Sequence, residues 1–283
     1  MVNPRLIAYL VGWIILITGG TLVFPAAVAL IYGESSVYWF LKSLAIVSVF
    51  GGLLISLGFS ARTGEARVRD SMAVVGASWF LISLAGALPY LFSGHLDVWG
   101  SIFESFSGFS STGATNISDL SIYPKGLLFW RSFSQYVGGM GIVVLMVAVL
   151  PFLGMGGQLM LKSETSGLSQ DKLKPRVAQI AKTLWLVYLS FTIILAALYL
   201  LGGLNLFDSL CLTFTTMSTG GFSNWNDSLA HLGGWYFPAV SMVFMFLGSI
   251  SFSLHYQLFA GNFRSFFLNA EVIFFTVAIL AST

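Results

Sequence analysis

Six stretches of this chain run for about 20 residues or more with almost no charge, which is the length a helix needs to cross a hydrocarbon layer of roughly 30 Å. They are Leu6 to Ile31, Tyr38 to Phe59, Ser71 to Phe92, Gly126 to Leu153, Thr183 to Leu201 and Trp235 to Phe259. In hydrocarbon every backbone polar group must be paired internally, so repeated apolar runs of this length dictate a bundle of helices. The expected fold class is an all-α polytopic membrane protein. With 57% hydrophobic and 8% charged residues and a mean hydropathy of +0.87, the chain lacks the polar surface of a soluble domain. Several spans exclude a lone signal peptide. The single cysteine, Cys211, excludes a disulfide framework or a multi-cysteine metal site.

The net charge of +2 does not point to nucleic acid, because the basic residues lie between the spans. The two long polar loops, Arg62 to Asp70 and Lys162 to Arg176, carry most of them. Threading the spans in order puts ten of the thirteen Lys and Arg on one side and three (Lys42, Lys125, Arg131) on the other. Excess positive charge marks the cytoplasmic face, so the N-terminus is expected inside and membrane lipid is the surrounding partner.

Two apolar runs are left over, Val98 to Phe109 and Leu206 to Met217, each too short to span and each on the outer side. Re-entrant segments have this length. Each is followed by a polar stretch containing glycine, SSTGATN from Ser110 and STGGFSN from Ser218. Aligning Ser101 to Asn116 with Ser209 to Asn224, an offset of 108 residues, gives five identities in sixteen positions and four Ser/Thr exchanges. The order of span, short segment, glycine loop and span also recurs, which argues for duplication. The expected organisation is an N-terminal two-helix hairpin over 1–60, a first repeat over 61–176, a second over 177–268, and the start of a truncated third over 269–283. Both copies begin and end inside, making them parallel repeats.

Irregular backbone at membrane depth is tolerated where protein buries it or where it lines a water-filled passage. Carbonyl oxygens lining a narrow passage replace the water shell of a cation, as in potassium-type filters. Glycine reaches backbone angles closed to other residues and puts no side chain in the way. The short helix would direct its partially negative carbonyl end at the passage. The candidate ion-binding residues are Ser110, Ser111, Thr112, Gly113 and Ala114 in the first loop, and Ser218, Thr219, Gly220, Gly221 and Phe222 in the second. Glu104, inside the first short segment, is placed to orient the loop or attract cations.

The segments FESFSGFSSTGATN, FWRSFSQYVGGMGIVVL, KLKPRVAQIAKTLWLVYL and FTTMSTGGFSN together resemble the Trk/Ktr/HKT superfamily of potassium transporters, in order and over essentially the whole chain. The resemblance implies span, pore helix and span repeated four times around one pore, with an extra hairpin in front. It also implies a homodimer in the bacterial plasma (inner) membrane, with a cytoplasmic nucleotide-binding regulatory subunit of the TrkA-like kind. Potassium is then cargo, with no cofactor. Gly113 and Gly221 match the filter glycines of the first two repeats, where glycine rather than serine accompanies potassium preference. Only two of the four filter segments are present, so the chain reads as the N-terminal part of a longer protein.

Other chemistries fit less well. An intramembrane serine hydrolase using Ser110 or Ser111 lacks a G-x-S-x-G pattern, and an organic-solute carrier would want paired ionisable groups inside the spans. The reading is a transporter and not an enzyme. Gly138, Gly139 and Gly141 lie inside a span with no strand before them, so they suggest close helix packing rather than nucleotide binding. Arg131, near the outer end of its span, could touch permeating ions, but the better-fitting expectation is that it snorkels or pairs with an acid.

Overall fold

The computed structural model describes residues 3–62, 68–153, 170–250, 254–255, 258 and 268–282. All the regular structure in them is helical. Helix α1 (Pro4–Gly20) starts on the Asn3 side chain, which accepts from the Leu6 amide, and α2 (Val23–Ile31) follows after a short break. Pro25 cannot donate to Thr21, and the Thr21 carbonyl instead accepts from Phe24 N at 3.1 Å. The first expected span is therefore two helices in succession. Helix α3 (Val37–Gly58) runs back along α1. The contact is made close by glycines seven residues apart on each helix: a Cβ on Gly12 would lie 2.8 Å from the Gly51 carbonyl oxygen, and one on Gly58 would overlap the Arg5 carbonyl. Small residues let membrane helices approach in this way, where burial from water offers no drive.

Helix α4 (Val68–Gly86) gives way at Ala87 to the short α5 (Leu88–Ser93), again at a proline, Pro89. At this break the Gly86 carbonyl accepts the indole N–H of Trp130 at 3.0 Å. Then come the short α6 (Val98–Phe109), the 29-residue α7 (Lys125–Leu153), α8 (Gln170–Leu201) and the short α9 (Leu206–Met217). Helix α10 (Tyr236–Ser249) and α11 (Ala270–Ser282) complete the order. Among the described residues four helical segments are long and apolar enough to cross a membrane: Pro4–Ile31, Val37–Ala61, Met72–Ser93 and Leu184–Leu201. Helix α7 covers the expected Gly126 to Leu153 run. The expected Trp235 to Phe259 span is not one continuous helix, because α10 stops at Ser249 and Ile250 is extended. At the break, Gly248 presses on the end of α9, its Cβ position 3.0 Å from the Met217 carbonyl oxygen.

Helix α7 is the axis of the bundle, packing against α2, α4, α6, α8 and α9. Its N-terminus is capped from a distance by Glu34, in the turn after α2, whose carboxylate accepts from Lys125 N at 2.7 Å and Gly126 N at 3.0 Å. The negative charge sits at the positive end of the helix, and the Lys125 ammonium lies 4.0 Å from the centre of the Tyr32 ring. These contacts tie the first hairpin to the rest of the molecule.

Candidate functional site

Helices α6 and α9 occupy equivalent positions 108 residues apart and are built alike. Asp97 accepts from Gly100 N at the start of α6, and Asn205 accepts from Asp208 N at the start of α9. Side-chain oxygens of this kind satisfy amides that the first turn leaves without a partner. The C-termini also match. Ser111 N bonds Gly108 O and Thr112 N bonds Ser107 O; Thr219 N bonds Thr216 O and Gly220 N bonds Thr215 O. This is the Schellman closure, which turns the chain sharply and satisfies two terminal carbonyls. It requires a left-handed residue, usually glycine, yet here Ser111 (φ 54°) and Thr219 (φ 52°) fill that place, at a cost of about 1–3 kcal/mol each. Two residues later Gly113 (φ 74°) and Gly221 (φ 81°) are left-handed again.

The two loops meet. A Cβ on Gly113 would fall 1.9 Å from the Gly220 carbonyl oxygen, so only glycine allows this approach, whereas around Gly221 there is open space within 4 Å. Both loops rest on α7 through the glycines read as packing residues. Gly138 receives the Phe109 carbonyl at the end of α6, and Gly139 receives Ser218 at the end of α9, with a Cβ position 2.8 Å from the Ser218 Cβ. Gly141 lies against the Trp79 ring.

A polar brace runs behind the loops. The Glu104 carboxylate, fully buried on α6, accepts from Arg131 Nε at 2.6 Å and from the Thr115 hydroxyl at 3.0 Å. Arg131 Nη1 then donates to the Ser223 carbonyl at 2.8 Å, and the guanidinium lies 3.7 Å from the centre of the Phe222 ring. One ion pair thus holds the ends of both loops. Arg131 pairs with an acid, as one of its two expectations had it, and it is buried rather than snorkelling. Glu104 orients the first loop, its charge met by Arg131.

One turn further along α7, Gln135 clasps the second loop on both sides: its Nε2 donates to the Gly220 carbonyl at 3.0 Å and its Oε1 accepts from Phe222 N at 3.2 Å. Sequence reasoning passed over this residue. The available signal was an amide inside an apolar span, four residues after Arg131 and so on the same helix face. At the offset of 108 shared by the two short helices the counterpart of Glu104 is Leu212. The returning helices match at 110, since Gly248 meets the Met217 carbonyl as Gly138 meets that of Phe109, which puts Ser241 and Met245 in the places of Arg131 and Gln135, and none of the three brace residues recurs.

The remaining candidate residues divide by what their groups touch. The Ser110 hydroxyl is 2.7 Å from that of Thr112, and Ser111 donates to the Gln135 carbonyl at 3.3 Å. The Ala114 carbonyl accepts from the Ser107 hydroxyl, and the Gly220 carbonyl is held by Gln135. Those two oxygens are committed to the protein, and the Phe222 ring is buried under Arg131 instead of facing a passage. No described donor takes the carbonyls of Thr112, Gly113, Thr219 or Gly221. In the outer connections Asn226 receives the Leu120 amide at 2.8 Å and donates to Asp119 at 3.1 Å. Hydrogen bonds from Ser121 and Asn226 hold the Asp119 carboxyl below its usual range.

The family model for TrkH, described as a cation transport protein, matches residues 37–269. The chain belongs to the TrkH family. Among TrkH relatives, the Trk system potassium uptake protein TrkH of Escherichia coli K12 is 34% identical over 261 residues, covering 91% of this chain and 54% of that protein. The TrkH of Vibrio parahaemolyticus is 36% identical over the same shares. The Escherichia coli K12 TrkG, also named a Trk system potassium uptake protein, is 33% identical over 90% of this chain and 53% of its own length. The crystal structure of the potassium transporter TrkH from Vibrio parahaemolyticus superposes with a TM-score of 0.76 at 34% identity, covering 91% of this chain and 52% of that one. The chain spans about half the length of the curated relatives it matches.

Proposed function

We propose that this chain contributes two filter loops to a potassium uptake pathway and works within a Trk-type system. The observation that carries the reading is the meeting of two matched glycine loops, where the left-handed Gly113 lies so close to the Gly220 carbonyl that no side chain fits between them. In this reading the passage is lined by Ser110, Ser111, Thr112 and Gly113 and by Ser218, Thr219 and Gly221, while Ala114, Gly220 and Phe222 hold the loops from behind through their bonds to Ser107, Gln135 and Arg131. The carbonyls of Thr112, Gly113, Thr219 and Gly221 act as the oxygen ligands that replace potassium's water shell. The brace of Glu104, Arg131 and Gln135 fixes their spacing without placing a free charge on the ion path, which suits an ion that must also leave.

The names of the relatives support potassium as cargo. The first hairpin and the two span, helix, loop and span units are then parts of a pore assembled around one axis. By the same reading the protein is a homodimer in the bacterial plasma membrane, its N-terminus is cytoplasmic, and a nucleotide-binding subunit regulates it from that side. A serine hydrolase gains no support from the site, since Ser110 and Ser111 bond to Thr112 and to a backbone carbonyl.

The test is Gly113→Ser in the complete protein, reconstituted in vesicles, with potassium and sodium fluxes compared. A loss of potassium preference is expected. Unchanged selectivity with serine at both Gly113 and Gly221 would remove the filter assignment.

A further inference from the structure

A cavity of about 350 Å³ opens between α1, α2, α4, α7 and α8, with none of the loop residues from Ser110 to Ala114 in its lining. Its place in the bilayer follows from its lining. Ile17 and Thr18 lie midway along the Pro4–Ile31 span, and Ile82 lies midway along Met72–Ser93, so it reaches the middle of the hydrocarbon layer, while Trp185 and Leu189 extend it toward the end at which the Leu184–Leu201 span begins. The mouth is formed by Ile17, Phe24, Trp185 and Leu189, all more than a third exposed on the outer faces of their helices. The floor is formed by Ile82, Phe109 and Tyr136, all buried. The cavity therefore leads inward from the exposed outer faces of α1, α2 and α8 and ends against Phe109, the last residue of α6.

What fills it is decided by its polar groups. The Tyr136 hydroxyl is paired with Thr192 at 3.0 Å, and the Thr21 hydroxyl donates to the Thr18 carbonyl, which leaves the Thr18 hydroxyl and the Trp79 and Trp185 indoles as the remaining side-chain polar groups of an otherwise hydrocarbon lining. A water molecule needs two to four polar partners, so an apolar space of this kind does not hold water but takes hydrocarbon. The volume falls in the range of ligand pockets, roughly 300–1,000 Å³. The surrounding solvent at that depth is the acyl chains themselves.

We propose that one acyl chain of a membrane phospholipid enters between Ile17 and Trp185 and seats against Phe109. Phe109 packs edge-on to Trp130 and fills the space beside Gly86, so the chain end supports the C-terminus of α6, from which the first loop departs. This inference concerns lipid binding and stands independently of what ion passes.

The experiment uses the complete protein, stripped of lipid in detergent and titrated with a phospholipid brominated along its chains. Bromine quenches nearby indoles, and Trp79, which lines the cavity, is read as the difference between the protein and its Trp79→Phe variant. A saturable loss of Trp79 emission, reaching its end at one lipid per protomer and weakened by Ile17→Phe at the mouth, is expected. Ile17 is exposed, so this variant leaves the packed interior untouched; Val137→Phe, inside the cavity, provides the second check. Quenching that grows in proportion to lipid without saturating, and that both variants leave unchanged, overturns the proposal. Saturation by a brominated free fatty acid that phospholipid fails to displace would also overturn it, by assigning the cavity to a free chain.

Discussion

Arg131 and Glu104 stand 2.6 Å apart in a buried ion pair whose outer hydrogen bonds reach two different loops, Thr115 on one side and Ser223 on the other. Removing one partner leaves the other charge buried and uncompensated, which costs about 3–5 kcal/mol. Arg131→Ala and Glu104→Gln are each expected to destabilise the protein on that scale. The double variant Glu104→Leu/Arg131→Ala, which removes both buried charges together, should cost less than either single change. Thermal unfolding of the three variants in detergent decides this; a double variant as unstable as either single change would contradict it.

Gln135→Leu should act on the second loop alone. It leaves the Gly220 carbonyl and the Phe222 amide without partners, each worth about 1–3 kcal/mol when buried. Amide hydrogen exchange over Gly220 to Ser223 is expected to accelerate while exchange over Thr112 to Thr115 stays as it was.

The two loop glycines should differ in what they tolerate. Gly113→Ala places a methyl group 1.9 Å from the Gly220 carbonyl, and the loops must separate. Gly221→Ala meets open space and pays only for the left-handed backbone, about 1–2 kcal/mol. Melting temperatures of the two variants should rank Gly113→Ala lower.

At Thr219 the argument runs the other way. A β-branched residue at φ 52° is strained, so Thr219→Gly should stabilise the fold by about 1 kcal/mol where the strain outweighs the extra freedom of the unfolded chain. A lower melting temperature for this variant would mean that the Thr219 side chain contributes more than its backbone costs.

Asp119 sets a pH dependence for the outer link between the loop connections. Because hydrogen bonds from Ser121 and Asn226 lower its pKa below the ordinary 3.8, its contribution is fully present above that value and is lost as the pH falls through the lowered one. Exchange at the Leu120 amide, which bonds Asn226, should stay slow relative to the intrinsic rate from neutral pH down to about 3.8 and lose protection below it. In Asp119→Asn that acid transition should disappear.

Much of this architecture was legible in the sequence because membrane insertion leaves few choices. The short segments Val98 to Phe109 and Leu206 to Met217 coincide with α6 and α9, since their length, their capping residues and their shared offset of 108 all agree. The glycine cluster at Gly138 to Gly141 was legible as packing, though not what packs there. Helix breaks were less visible. Pro25 and Pro89 mark theirs, but the stop at Ser249 comes where Gly248 meets the end of α9, a contact that no local pattern announces. The brace was hidden for the same reason. Arg131 finds Glu104 across 27 residues and Ser223 across 92, and the partner of a buried charge is set by how the helices pack rather than by spacing along the chain.

The position of Gln135 and Arg131 has a bearing on the order of folding. Every backbone group they hold in the second loop lies 85 to 92 residues later in the chain, so both side chains are made long before their acceptors. During synthesis α7 waits with its amide and guanidinium groups, and the second loop closes onto a template that is already in place. The first loop can form from local contacts soon after α6 and α7 meet. The second is shaped by long-range closure, which makes it the later of the two to mature and the one whose assembly a fault in α7 would arrest.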